Sequence, residues 1–149
     1  MLKPAAFLLA CLATTAPVFA FNRVDADRLV LIRTAKATGV TFFHDTAQCK
    51  DEPRLMGFFL PSSGQVHLCF DNMKAYDADP DLTLKHELIH AAQACRGGLL
   101  EPQANNAATA QVPLDYYPPE QVATEAEARA LAPRLPLIEV ARLLVSECR

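Results

Sequence analysis

The chain has 149 residues, with 14 lysines and arginines against 17 aspartates and glutamates, a formal charge of −3, and 51% hydrophobic residues. That length suits one domain, and the composition is that of a folded globular protein rather than a disordered chain. Basic residues are scattered, which argues against a nucleic-acid surface, and no internal repeat or low-complexity run is present.

Met1–Ala20 reads as a secretory signal rather than as structure. Lys3 precedes an apolar stretch from Pro4 to Ala13, and Val18-Phe19-Ala20 offers a small-x-small cleavage site, so the mature chain is expected to begin at Phe21. No arginine occurs before Arg23, unlike a mitochondrial transit peptide. The rival reading, a lipoprotein signal ending Leu8-Leu9-Ala10-Cys11, leaves a very short apolar core. No later window reaches the ~20 apolar residues of a membrane span, so residues 21–149 are expected to be exported, periplasmic or extracellular, without crossing a bilayer.

Export removes one of five cysteines and leaves Cys49, Cys69, Cys95 and Cys148. An even number in a small exported domain implies two disulfides, against the alternative of buried free thiols. No C-x-x-C pair is present, which disfavours a cysteine zinc site or a thioredoxin-type motif. Of three connectivities, Cys95–Cys148 and Cys49–Cys69 are expected. The first two residues end apolar helical stripes, and the second two flank a strand pair.

Asp25 to Thr38 reads as a helix with Asp25 as N-cap and Gly39 as its stop. Val40–Phe43 is a short strand. Met56–Leu60 and Gln65–Phe70 are two more, separated by the turn Pro61-Ser62-Ser63-Gly64. A helix opens at Asp79-Pro80-Asp81 and stops at Gly97-Gly98. Residues 97–119 form a long aperiodic stretch of the kind that serves as a lid or binding loop. Helices follow from Pro118 to Pro133 and from Pro136 to Cys148, the latter with Leu137, Val140, Ala141 and Leu144 on one stripe. Segregated strands and helices make the class α+β.

The chemistry sits in His86-Glu87-Leu88-Ile89-His90. On a helix, residues four apart point within about 40° of each other, so both imidazoles can reach one zinc ion. Glu87 falls beside the ion, where a carboxylate can take the proton of a zinc-activated water. A helical wheel puts His86, His90, Glu87, Thr83 and Gln93 on one polar face, opposite Leu84, Leu88, Ile89, Ala91, Ala92 and Cys95. An ordinary solvated helix face is the alternative.

A catalytic zinc needs a third protein ligand. No histidine follows His90, which leaves Glu101, Asp115, Glu120, Glu125, Glu127, Glu139 and Glu147. On the next helix Glu127 falls within the apolar arc of Val122, Ala126, Ala130, Ala123 and Leu131. Glu125 falls outside it, four residues before Arg129, as an exposed ion pair would. A carboxylate on an apolar face must be paired or metal-bound, which selects Glu127 over Glu125, with a buried salt bridge as the alternative. His44 and His67 read as surface or core histidines. Tyr116 and Tyr117 lie where a phenol could stabilise an oxyanion, or simply pack.

Gly57-Phe58-Phe59, Gln65-Val66-His67-Leu68-Cys69, Leu84 to Ala91 with Cys95-Arg96, and Glu127-Ala128-Arg129-Ala130 occur in this order. Together they resemble the ATP-synthase-assembly metalloprotease family of the mitochondrial inner membrane and its small bacterial relatives. The resemblance spans about residues 57 to 130 and implies a zincin-like fold, with Gln65–Phe70 as the edge strand for a substrate peptide. It implies zinc on His86 and His90, Glu87 as base, and Glu127 as the family's Glu-x-Arg-Ala glutamate. Gln93 stands where that family usually carries an acid. The resulting expectation is an exported zinc metallopeptidase acting on a protein or peptide substrate. A non-catalytic zinc-containing assembly or binding factor, or a disulfide-stabilised structural domain, is the alternative.

Overall fold

A computed structural model describes residues 23–102 and 117–149. The Met1–Ala20 signal, Cys11, Asp115 and Tyr116 lie outside the described residues. Within them the chain forms α1 (Arg23–Ala37), β1 (Thr41–His44), α2 (Ala47–Asp51), β2 (Gly57–Leu60) and β3 (Gln65–Leu68). Then follow α3 (Phe70–Ala75), α4 (Pro80–Arg96), α5 (Pro119–Arg134) and α6 (Leu137–Glu147). This is an α+β arrangement of six helices and a three-stranded mixed sheet, as the segment pattern implied.

The element ends follow local chemistry. Asp79 caps α4 by accepting the Asp81 N–H at 2.9 Å, with Pro80 in the first turn, where a missing N–H costs nothing. Gly97 ends the helix at φ 78°, and the N–H groups of Gly97 and Gly98 return to the Gln93 carbonyl. Two short helices, α2 and α3, escaped the periodicity reading. Each spans little more than one turn, too short for a hydrophobic repeat to register. The third strand stops at Leu68 rather than Phe70, because Cys69 turns out of the ladder into the start of α3 and a disulfide. At the other end, α1 begins at Arg23, so Asp25 sits in its first turn instead of capping it.

The sheet order is β1-β3-β2, with β3 parallel to β1 and antiparallel to β2. The strand proposed as a substrate edge is therefore central, and β1 and β2 are the edges. Two-residue alternation sends Val66 and Leu68 into the core, while His67 is stacked between Phe43 at 5.0 Å and Phe58 at 4.3 Å on the other face. Burial lowers the His67 pKa.

Helix α4 packs on α5, α6, β2 and β3, and α1 packs on α6. The buried stripe of α4 is Leu84, Leu88, Ile89, Ala91 and Ala92, against Ala128, Leu131 and Ala132 of α5 and Val140, Ala141 and Leu144 of α6. An Arg28–Asp81 pair with contacts of 2.6 and 2.8 Å ties α1 to the first turn of α4. Cys49–Cys69 and Cys95–Cys148 are both bonded, the pairing expected from the sequence. The second fastens the last turn of α4 to the end of α6. No helix among the described residues is long and apolar enough to cross a membrane.

Candidate metal centre

The four-residue spacing on α4 puts the two imidazoles side by side, with His86 Nε2 and His90 Nε2 3.1 Å apart. Helix α5 crosses over them and contributes a carboxylate. Glu125 Oε2 lies 3.1 Å from His90 Nε2 and 3.4 Å from His86 Nε2. These three side chains form a group that can hold a metal ion. Donors on a tetrahedral ion at about 2.0–2.1 Å stand roughly 3.4 Å from one another. The observed triangle fits that size.

The carboxylate brought to the two histidines is Glu125, whereas the sequence pointed to Glu127. Glu127 is also buried, but its carboxylate meets Gln93 and the chain just past α4 instead of the histidines. Its Oε2 accepts the Leu100 N–H and a Gln93 Nε2–H, both at 2.8 Å, and its Oε1 accepts the Glu101 N–H at 2.5 Å. The rule that a buried carboxylate needs partners holds, yet backbone N–H groups after α4 supply them. Glu125 does form the expected pair with Arg129, at 2.6 Å, but only through Oε1, and its side chain is just 7% exposed. Ion pair and histidine contacts use different oxygens of one carboxylate. The signal available in sequence was that Glu125, Val122, Ala126 and Arg129 share one face, with the arginine one turn on to neutralise a buried acid.

Electrostatics follow from this packing. Burial alone would push the Glu125 pKa up, but hydrogen bonds from His86, His90 and Arg129 hold it far below the usual carboxylate range. Burial likewise opposes a charge on His90, yet Glu125 and Glu87 outweigh it and raise its pKa. Glu87 is 5% exposed, and burial raises its pKa, partly offset by the two histidines. Tyr117 has its pKa raised by burial, and its hydroxyl accepts from Arg129 at 3.2 Å.

These groups line a cleft of about 550 Å³. Its polar wall carries His86, Glu87, His90 and Glu125. Leu55, Phe58, Phe59 and Pro61 form the apolar wall, and Tyr117 and Gln121 stand at the α5 side. Strand β2 approaches α4 closely because its first residue is Gly57. A Cβ there would sit 2.9 Å from Thr83 Cγ2, 3.0 Å from the His67 carbonyl oxygen and 3.2 Å from Glu87 Cγ. His44, 75% exposed beside Asp45, and His67, within its aromatic stack, are apart from the cluster. Glu101 pairs with Arg134, Glu139 with Arg142, and Glu147 with Arg96, which accounts for three other carboxylates considered as ligands. Comparison with family models, with curated proteins and with solved structures finds no match.

Proposed function

We propose that the protein is an exported zinc metallopeptidase of zincin-like fold. The observation that carries the reading is the convergence of His86 Nε2, His90 Nε2 and Glu125 Oε2 at metal-ligand spacing, with Glu87 buried alongside in an open cleft. Two histidines and one carboxylate, with room for a further ligand, are a catalytic zinc set. When bound, zinc acts as a Lewis acid toward a water and the scissile carbonyl.

The chain's own residues divide the remaining work. Glu87 accepts a proton at its carboxylate and returns it to the leaving amine, and burial makes it more basic than an ordinary glutamate. Arg129 holds Glu125 Oε1 and so keeps Oε2 turned to the histidines. The Tyr117 hydroxyl receives a hydrogen bond from Arg129 and is itself hydrogen-bonded to Glu125, so it braces the ligand carboxylate at the edge of the cleft. Strand β2 pairs with β3 on one side, and its residues Gly57, Phe58 and Phe59 line the cleft. An extended peptide fits such an edge, with apolar side chains toward Leu55, Phe58 and Pro61. Two disulfides suit an extracellular location.

The test is zinc content and hydrolysis of an unfolded protein, measured on the same samples of wild type and Glu87→Gln. The variant should retain zinc and lose about 10²–10⁴-fold in turnover. Full zinc with undiminished hydrolysis would remove Glu87 from the base role. Stoichiometric zinc without hydrolysis by wild type would favour the binding-factor reading.

A further inference from the structure

The Glu127 carboxylate lies outside the metal triangle yet is bound into it through one side chain. Carboxylate oxygens and carbonyl oxygens only accept. Gln93 Nε2 faces two such acceptors, Glu127 Oε2 at 2.8 Å and the Thr124 carbonyl at 3.0 Å. The amide orientation of Gln93 is therefore determined: its NH₂ points to α5, and Oε1 points the other way. Oε1 lies 2.7 Å from His90 Nδ1. An amide oxygen there accepts a proton from Nδ1, in competition with Glu125 Oε2 at 3.1 Å from Nε2, and a proton held on Nδ1 leaves the Nε2 lone pair facing His86 and Glu125.

We propose that Gln93 and Glu127 are positioning residues that lock His90 into its Nδ1–H form and so present Nε2 for metal binding. This inference rests on the metal-site reading above. Both residues are buried, Gln93 at 4% and Glu127 at 2% exposure, which shields the relay from competing water. A histidine ligand whose far nitrogen is held by a hydrogen bond keeps both its tautomer and its ring angle. The same Glu127 carboxylate takes the Leu100 and Glu101 N–H groups, so the lock also depends on the path of the chain as it leaves α4. This gives physical reason for a carboxylate buried away from the metal. It also explains Gln93: an acid at this position would set a second carboxylate against Glu127.

The experiment is ¹⁵N–¹H spectroscopy of the histidine rings in zinc-free protein, titrated to alkaline pH until His90, whose pKa is raised, has lost its second proton, paired with zinc affinity by competition against a chelator. Wild type should show His90 protonated on Nδ1. Gln93→Leu should lose that signature and bind zinc roughly 10–100-fold more weakly, and Glu127→Ala should weaken the same signature through Gln93. A His90 protonated on Nε2 in wild type overturns the proposal, as does a Gln93→Leu variant with unchanged tautomer and affinity. If Gln93→Leu does not fold, the wild-type spectrum decides alone. Wild type that shows the Nδ1–H form but binds no zinc sinks the metal-site reading and leaves the positioning relay standing.

Discussion

Glu125 and Glu127 lie two residues apart on one helix, and truncating each to alanine should damage different properties. Glu127→Ala removes the acceptor of three N–H groups, those of Leu100 and Glu101 and one of the two on the Gln93 amide, whose other N–H keeps the Thr124 carbonyl. Each orphaned buried donor costs about 1–3 kcal/mol, and because the three share one site their sum is less than additive, about 3–5 kcal/mol in all. Folded domains hold only about 5–15 kcal/mol of net stability. The expected fall in Tm for a domain of this length is roughly 10–20 °C. Glu125→Ala should cost the metal-free fold less, about 1–2 kcal/mol. Its partner Arg129 keeps a side chain 46% exposed and can be rehydrated. That variant instead deletes one of three converging donor atoms. Its zinc affinity should fall by more than the ~100-fold typical of losing a supporting residue, or over ~2.7 kcal/mol. Thermal unfolding in chelator separates the two on stability, and zinc titration separates them on affinity. Wild-type zinc affinity in Glu125→Ala, with an empty site in a stable Glu127→Ala, would refute the assignment.

Other outcomes follow from the same contacts. Gly57→Ala should cost about 1–3 kcal/mol and lower turnover, because the new methyl meets the unyielding His67 carbonyl and levers β2 off Glu87; unchanged stability on calorimetry would contradict that packing. Replacing Cys95 and Cys148 together by alanine should destabilise by about 4 kcal/mol, since the bond closes a sequence separation of 53 residues, a loss that chemical denaturation would read. In metal-free protein His90 has a pKa raised above its unfolded value, so the stability it contributes is full below about pH 6.5 and is lost as pH rises through the folded pKa. Tm in chelator should therefore fall from pH 6 to above pH 8, while the stabilisation gained on adding zinc should rise over that range as protons cease to compete. A His90→Gln variant with the same pH trend would show that another group is responsible.

The H-E-x-x-H helix was legible from sequence because helical geometry is local: a four-residue spacing places His86 beside His90 wherever the helix goes, and Asp79, Pro80 and Gly97 mark its ends. The apolar stripe of α6 and the turn before β3 are legible for the same reason. The disulfide pairing also followed, since Cys95 and Cys148 close the stripes of two helices that must pack together. The choice between Glu125 and Glu127 was not legible. Both are buried in α5, and a helical wheel that equates burial with apolar neighbours cannot tell a carboxylate facing two histidines from one facing the N–H groups of residues 100 and 101. That difference is set by how α5 crosses α4 and where the chain leaves α4, contacts 26 to 35 residues apart in sequence. Strand order was undecidable for a related reason: alternation shows which face of β3 is buried, but only pairing with β1 and β2 makes it central and leaves β2 at the edge. Sequence alone determined the local geometry of the ligand helix. Tertiary structure decided which distant carboxylate its histidines meet, because that depends on the docking of one helix against another and on no spacing within either.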